Sequence, residues 1–391
     1  MSHDTSPAFG EEIDSVDSRL DAPVAGPAAA DADPTERSAR AKGVRVAVTA
    51  AAVVAVAVGV STYIGTSHGS KPAPAAAAAP AATPGDYNVF VAASGGFEVV
   101  EVNSQTHAPV GKTISTDSAM GVALAPDGQT LYVANTGQYS VLAVNLTTYK
   151  ATTIQVGAYP QDVAITPDGK TVYAAVSGGD TGPGGSNQVA VIDTATNTVT
   201  SDITVGATPR RIVLSQDGSR AYVGTAQGVF VIDTARNRVV GVVPSPSDTQ
   251  GLALSPDGSR LYLTAPDENQ VWEVSTAHLN VVGRFAAGAE PWSVAVAPNG
   301  STLYVADTNS NSVAVIDAHS GRTTANVTVG ALPTTVGVTP DGTQVWVGNT
   351  LTGSLSVIST ATNSLTATVP GGPGSSALDS APLDLAFEPT G

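Results

Sequence analysis

The chain has 391 residues, no cysteine and a formal net charge of −16 at pH 7. The lack of cysteine excludes disulfides, zinc–thiolate sites and cysteine nucleophiles. Nucleic-acid phosphates are bound by a clustered basic face, so the acidic balance argues against a nucleic-acid partner. A chain of this length is compatible with one large all-β domain preceded by a tail.

Residues 1–45 have the composition of a disordered acidic tail with a basic end. Residues 1–36 carry nine acidic residues against the single base Arg19, and they are rich in Ala, Pro and Ser. Such a segment has too little apolar surface to offset the entropy lost on ordering. The basic end consists of Arg37, Arg40, Lys42 and Arg45.

An uncharged run of 19 residues, 46–64, follows this basic cluster. As a helix rising about 1.5 Å per residue, the run would roughly match the ~30 Å hydrocarbon core of a bilayer. The positive-inside rule then predicts a single-pass protein of a bacterial cell membrane, with a cytoplasmic N-terminus and the rest outside. A cleaved signal peptide, leading to secretion, is the alternative, because the Ala/Pro-rich segment 72–83 offers small residues for cleavage. The Pro/Ala-rich linker 65–87 predicts an extended spacer.

A Pro-Asp-Gly-like turn recurs through the fourth segment, residues 88–391. Its glycines are Gly128, Gly169, Gly218, Gly258, Gly300, Gly342 and Gly391. The steps of 40 to 49 residues between them are typical of one four-stranded propeller blade. In each turn Pro fixes φ, Asp caps the backbone and Gly takes a positive φ. The turn aspartates are therefore interpreted as turn formers, not catalytic groups.

The first and last strands of this segment complete each other. The aromatic strand NVFVA at 88–92 has no turn before it, and the turn ending at Gly391 has no strand after it. We therefore expect DLAFE at 384–388 to be the innermost strand of the blade that begins at 88, which removes an exposed inner edge. The predicted fold is an all-β seven-bladed β-propeller with four antiparallel strands per blade, closed by the C-terminal strand.

The units YVADTNSNSVAVID at 304–317 and LYVANTGQYSVLAVN at 131–145 resemble the YVTN-type β-propeller repeat family. The resemblance extends over nearly all of 88–391. It implies an exported or surface propeller, in a fold group that also includes lactonase-like hydrolases and haem d1 domains. Fold alone does not select among these activities.

Two long repeat steps indicate which face of the propeller is elaborated. The extra residues fall in 177–188, between the second and third strands of a blade, and in 370–382, between the last two blades. Both positions lie on one face, and loops on such a face commonly carry function. This face includes the channel mouth, the end of the central channel where the innermost strands begin.

Two rings of residues are expected at the channel mouth, one residue of each ring per blade. The first ring is Met120, Gln161, Arg210, Gln250, Trp292, Thr334 and Leu383, and the second is Gly121, Asp162, Arg211, Gly251, Ser293, Thr335 and Asp384. Arginines beside carboxylates suit a carboxylate- or sugar-bearing ligand, and a tryptophan offers an apolar platform. The candidate ligand-binding residues are Asp162, Arg210, Arg211, Gln250, Trp292 and Asp384, although mutual pairing around a watery channel would also explain them.

Two functions follow from these observations. The first is a membrane-anchored binding or scaffold module for an extracytoplasmic protein, glycan or envelope ligand. The second is a metal-assisted lactonase-like or lyase-like hydrolase that uses Ca²⁺ or Mg²⁺ at the channel mouth. Its acidic candidates are Asp162, Asp248, Asp267, Glu268, Glu290, Asp307 and Asp384. The sequence predicts no other cofactor, and His107, His278 and His319 are expected in turns on the opposite face, away from any channel chemistry.

Overall fold

The structure is a computed structural model, and it describes residues 85–94, 98–178, 187–245, 248–370 and 381–390. The predicted tail, the apolar run 46–64 and nearly all of the linker therefore lie outside the described residues. No helix within the described part of the chain is both long and apolar enough to cross a bilayer.

In these described residues, twenty-eight strands form seven four-stranded antiparallel sheets, called blades 1 to 7. Blade 1 contains β28 (Ala381–Pro389), β1 (Tyr87–Ser94), β2 (Glu98–Asn103) and β3 (Pro109–Ser115). Blade 2 contains β4 (Ala119–Leu124), β5 (Thr130–Asn135), β6 (Ser140–Asn145) and β7 (Lys150–Gln155). Blade 3 contains β8 (Tyr159–Ile165), β9 (Thr171–Ser177), β10 (Gln188–Asp193) and β11 (Thr198–Thr204). Blade 4 contains β12 (Ile212–Leu214), β13 (Arg220–Thr225), β14 (Gly228–Asp233) and β15 (Arg238–Val243).

The remaining three blades repeat this order. Blade 5 contains β16 (Leu252–Leu254), β17 (Arg260–Ala265), β18 (Gln270–Ser275) and β19 (Asn280–Ala286). Blade 6 contains β20 (Pro291–Val296), β21 (Thr302–Asp307), β22 (Ser312–Asp317) and β23 (Thr323–Thr328). Blade 7 contains β24 (Pro333–Val338), β25 (Gln344–Asn349), β26 (Ser354–Ser359) and β27 (Ser364–Val369). Short 3₁₀ turns at Thr136–Gln138, Pro266–Glu268 and Thr308–Ser310 join the second and third strands of blades 2, 5 and 6.

The blades form a closed ring around the innermost strands. These strands contact one another in the order β4, β8, β12, β16, β20, β24 and β28, and β28 contacts β4. Closure is made as predicted, because β28 pairs antiparallel with β1, with Glu388 opposite Asn88 and Asp384 opposite Ala92. The C-terminal strand thus completes the blade begun by the first strand, and the predicted seven-bladed, four-stranded architecture is confirmed.

The core is divided among the contacts between blades. The described residues form seven buried apolar clusters, one between each pair of neighbouring blades. Trp346 of blade 7, for example, is fully buried in one cluster with Val89 and Val100 of blade 1. Alternate side chains of the central strands therefore face opposite neighbours, which explains why these strands are apolar on both faces.

The repeated turns have the structural role predicted for them. The six described turn glycines have φ between +68° and +73°. In a representative turn, Gly218 N donates to the Ser215 carbonyl at 2.8 Å, and the Ser215 hydroxyl donates to Asp217 Oδ1 at 2.6 Å. This hydroxyl and the Ser219 donors lower the pKa of Asp217 to about 2. The turn aspartates are occupied in closing hairpins at the face opposite the channel mouth.

Candidate functional site: the central channel and its mouth

A β-bulge near the start of the innermost strand decides which side chains line the channel. In β8 the pairing with β9 passes from Pro160 to Asp162 and skips Gln161. The skipped residues in β20, β24 and β28 are Trp292, Thr334 and Leu383. A bulge adds one unpaired residue and redirects the side chains around it. The first predicted ring is therefore largely a ring of bulged residues.

The second predicted ring lines the channel. A cavity of about 190 Å³ lies at its centre and receives at least one residue from the innermost strand of every blade. Its polar side chains are Asp162, Arg211, Ser293, Thr335 and Asp384. The channel is thus polar and asymmetric, in contrast to the repeated turns on the opposite face. Ser293 and Thr335 belong to the ring predicted from the sequence but are not among the six candidate ligand-binding residues.

Arg211 joins three blades across the channel. Its Nη1 donates to Asp384 Oδ1 at 2.9 Å and lies 3.8 Å from Asp162 Oδ1. Its Nη2 donates to the Leu383 carbonyl at 2.8 Å. Backbone amides hold the two carboxylates, because Ile212 N donates to Asp162 Oδ2 and Val122 N donates to Asp384 Oδ2, each at 2.9 Å. We call Asp162, Arg211 and Asp384 the channel triad.

Burial dominates the electrostatics of the channel triad. It raises the pKa of Asp162 to about 7, because the lowering effect of Arg211 is smaller and the nearby Asp384 raises the pKa further. Burial alone would lower the pKa of Arg211, but the Asp384 and Asp162 carboxylates outweigh it and the pKa is raised. Arg211 therefore stays charged, and Asp162 gains or loses its proton near neutral pH.

Glycines in the second ring let neighbouring blades approach closely. A Cβ atom on Gly121 would lie 2.7 Å from Asp162 Cα, and one on Gly251 would lie 2.8 Å from Ser293 Cα. Neither distance is compatible with an ordinary side chain next to backbone. The absence of a side chain at these two positions thus keeps the channel narrow around the triad.

A second polar cluster lies beside the triad and is more exposed. Arg210 Nε donates to Asp248 Oδ2 at 2.8 Å, and Gln250 Nε2 donates to the same oxygen at 2.9 Å. The side chains of Arg210 and Asp248 are 39% and 32% exposed, against 19% for Arg211. We call Arg210, Asp248 and Gln250 the mouth cluster. The two adjacent arginines, predicted as a pair, therefore have different partners and different access to solvent.

The structure does not join Trp292 to the mouth cluster through a cation–π contact. The two such contacts among the described residues involve other pairs, Lys112 with Tyr149 and Arg284 with Trp272. Trp292 is partly exposed in its bulge, and its carbonyl accepts a long hydrogen bond of 3.4 Å from the Thr264 hydroxyl. Its indole remains a candidate apolar surface at the channel mouth.

The seven acidic residues proposed as metal ligands do not form one cluster, although Asp162 and Asp384 both approach Arg211. Asp267 and Glu268 belong to the 3₁₀ turn of blade 5, where Glu268 accepts a hydrogen bond from Trp272 Nε1 at 3.1 Å. Glu290 accepts one from Asn309. Across the described residues, no three His, Cys, Asp or Glu side chains are close enough together to hold a metal ion.

The histidines occupy the places expected for them. His107, His278 and His319 follow the third strands of blades 1, 5 and 6, in turns that lead to the fourth strands. His319 borders a groove with the Pro256–Gly258 and Asn299–Gly300 turns, which places it on the face opposite the channel mouth.

The strands that flank the two long insertions end on the channel-mouth face. Ser177, the first residue of the first insertion, pairs with Tyr159 at the start of β8. Ala381, near the end of the second insertion, pairs with Ser94 at the end of β1. Residues 179–186 and 371–380, which contain most of both insertions, lie outside the described residues.

Asp307 is an unusual buried acid near the same face. It ends β21, is fully buried, and neither carboxylate oxygen has a hydrogen-bond partner. Burial raises the pKa of Asp307 to about 7, and the nearby backbone amides of Gly288 and Ala314 oppose this only in part. Asn135 and Asn349 hold the equivalent positions in blades 2 and 7. The YVAD variant of the repeat thus places an ionisable group where sister blades place an amide.

Together the fold and the channel define a seven-bladed β-propeller with a polar channel at one end. No family model and no curated protein matches the chain. Among solved structures it is similar to hydrazine synthase of Kuenenia stuttgartiensis, with 25% identity over 70% of this chain and 92% of that one, at a TM-score of 0.64. A functionally unknown protein from Desulfotomaculum acetoxidans DSM 771 is 13% identical over 77% of this chain and 98% of that one, also at a TM-score of 0.64. The second likeness shows the fold alone.

Proposed function

We propose that the chain is a membrane-anchored binding or scaffold module of the YVTN-type propeller group, with its ligand site at the channel mouth. The apolar run 46–64 and the basic cluster before it support anchoring with the propeller outside the cell membrane. The linker would hold the propeller away from the bilayer surface.

The mouth cluster is the observation on which the proposal rests. Asp248 holds Arg210 through Nε, and among the described residues the terminal Nη groups of Arg210 make no hydrogen bond. An arginine whose Nε is held by a carboxylate and whose two Nη groups are unpaired suits bidentate recognition of a second carboxylate. The channel triad, by contrast, pairs internally and acts as a polar seal beneath the site.

The ligand class follows from this chemistry. A carboxylate of an envelope protein or of an acidic glycan would pair with Arg210, and the Trp292 indole would offer an apolar surface to a side chain or sugar ring. No arrangement of the described acids or histidines favours hydrolysis over binding.

Crosslinking in intact cells tests this proposal. The tagged full-length protein is compared with Arg210→Gln and with the control Lys170→Gln, which changes an exposed cation beside Asp168 on the opposite face. We expect the same partner to be captured by wild type and Lys170→Gln. Capture should fall roughly tenfold with Arg210→Gln, as for one lost charged hydrogen bond of about 1.4 kcal/mol. An unchanged set of partners, or none above the untagged background, would contradict the proposal.

A further inference from the structure

The outer edges of the blades differ from one another in a way that the channel does not explain. Within the described part of the chain, the fourth strand of each blade has no strand partner on its outer side. Free edges are templates for pairing with another chain, and proteins usually protect them with polar or charged side chains. Equivalent edge positions in different blades can therefore be compared directly within this one chain.

A bulge in the outer strand shows the difference. In β11, β23 and β27 the bulge residue is a threonine, Thr200, Thr324 or Thr366. Each hydroxyl donates to a carbonyl of the third strand at 3.1 Å. In β15 and β19 the same position holds Val240 and Val282, which are 44% and 48% exposed. In blades 4 and 5, an exposed valine thus replaces a threonine whose hydroxyl is hydrogen-bonded within its own blade.

The neighbouring edge position repeats the pattern in β15. Val242, opposite Phe230, is exposed. The equivalent residues of blades 3 and 6 are Asp202 and Asn326. Six large apolar side chains are exposed among the described residues, and Val240, Val242 and Val282 lie on these two adjacent outer strands. The other three are Val110 on β3, Leu351 in the turn between β25 and β26, and Leu365 on β27.

A groove between the two outer strands adds depth to this surface. It has a volume of about 500 Å³ and a mainly apolar lining. The lining includes Val243, Pro244, Trp272, Leu279, Val281 and Arg284. Exposed valines along a free strand edge, next to an apolar groove, form a surface that an extended segment can cover.

Two arginines give the surface a positive charge. The Arg284 guanidinium stacks over the Trp272 ring at 4.3 Å, and Arg238 is exposed at the start of β15. Neither forms an ion pair with any described residue. Arg238 lies opposite Asp233 in the strand register without forming an ion pair with it. In a chain with a net charge of −16, these two cations beside exposed valines favour an acidic partner. A second copy of this chain would bring the same two cations to the contact and is disfavoured for that reason.

We infer that the edge of β15, with the adjoining groove and β19, is a docking site for an extended partner segment that alternates apolar and acidic residues. The segment would pair with β15 as a fifth strand of blade 4, so that backbone hydrogen bonds provide affinity. Its apolar side chains would cover Val240, Val242 and the groove, and its acidic side chains would meet Arg238 and Arg284. This surface is separate from the channel mouth and does not depend on the function proposed above.

Peptide binding to the full-length protein tests the inference. The probe is a fluorescently labelled octapeptide of alternating valine and glutamate, measured by anisotropy. We expect saturable binding, about tenfold weaker binding when lysine replaces glutamate, and loss of binding when the backbone amides on one edge are N-methylated. Absence of saturable binding up to about 1 mM peptide, or equal affinity for both peptides, would overturn the inference.

A matched variant distinguishes binding at this surface from nonspecific hydrophobic binding of the peptide. Val240→Thr with Val242→Asp copies the residues of β11, and it should lower affinity at least about tenfold while the melting temperature is kept. Val240→Thr alone restores only the bulge hydroxyl, and it serves if the double variant folds poorly. Leu365→Thr, on β27, is the control and should bind like wild type. Unchanged peptide binding by the double variant contradicts the inference. The inference is also contradicted if no peptide binds and the wild-type protein instead forms a dimer that the double variant abolishes.

Discussion

Arg211 and Asp384 form a 2.9 Å ion pair that links blade 4 to the C-terminal strand across the channel. The same guanidinium donates to the Leu383 carbonyl, so it contacts the closing strand twice. Ring closure therefore has two components, the pairing of β28 with β1 and this charged contact inside the channel. The channel triad is thus a structural element of the closed ring as well as the floor of the proposed site.

Replacing Arg211 with methionine should destabilise the propeller. The change keeps much of the side-chain volume but leaves Asp162 and Asp384 without their cation, and losing one partner of a buried pair typically costs about 3–5 kcal/mol. The loss should be largest above pH 7 and smaller at pH 5, because Asp162, with a pKa of about 7, is then protonated. Denaturant unfolding at the two pH values measures this.

A triple variant provides the control for that experiment. Arg211→Met with Asp162→Asn and Asp384→Asn removes the unpaired charges and should recover most of the lost stability. Equal stability of Arg211→Met and wild type at pH 8 would show that the triad contributes nothing to closure.

Removal of the closing strand should open the ring. A chain ending at residue 380 lacks β28 and exposes the inner edge of β1, which invites pairing with other chains. We expect aggregation or a broad unfolding transition in place of a cooperative one. A synthetic peptide of residues 381–391, added in trans, should restore cooperative unfolding, and a peptide with Ala386→Asp should not, because Ala386 is buried between blades 1 and 2. Cooperative, monomeric unfolding of the truncated chain would contradict the closure described.

Asp307→Asn should stabilise the protein at alkaline pH. The pKa of Asp307 is raised from 3.8 to about 7 by burial, so between these values the folded state holds a proton that the unfolded state has lost. The contribution of Asp307 to the free energy of unfolding is therefore complete below about pH 4. It decreases by at most about 4 kcal/mol as the pH rises to about 7. The variant removes that loss.

The sign of the pH dependence makes the Asp307 prediction specific. The melting temperature of Asp307→Asn minus that of wild type should increase from pH 4 to pH 8. Asn349 shows that an amide fits at the equivalent place, since its Nδ2 donates to Ser354 and Ser356. A difference that is constant with pH, or that decreases, would mean that Asp307 is not buried in its neutral form.

Repeats and turns were readable from the sequence because each blade restates them. Period, turn chemistry and the two orphan strands at 88 and 384 were enough to predict the blade number and the closure. Side-chain direction at the channel was harder to predict, because the bulge that skips Gln161, Trp292 and Leu383 shifts the alternation of side chains by one residue, and the apolar–polar pattern of the sequence does not show that shift. Only the pairing register of the innermost strands in the structure shows that the second ring lines the channel.

The sequence places Arg210 and Gln250 in one candidate set with the channel triad and names Asp248 only as a possible metal ligand, so the mouth cluster itself was not predicted. Adjacent residues on a regular strand face opposite sides, but Arg210 and Arg211 precede the short strand β12, where no such rule applies. Their different partners, Asp248 and Asp384, come from different blades and loops. Nothing in the local sequence indicates which of these carboxylates lies close to which arginine.

Photo-crosslinking from the channel mouth in living cells tests the proposed binding function most directly. Trp292 is replaced by benzoylphenylalanine, which retains an aromatic group, and His319 on the opposite face is replaced in the same way as the control. We expect a specific crosslinked product from position 292 that Arg210→Gln removes, and none from position 319. A product only from position 319, or one from 292 that Arg210→Gln leaves unchanged, would contradict the proposed function.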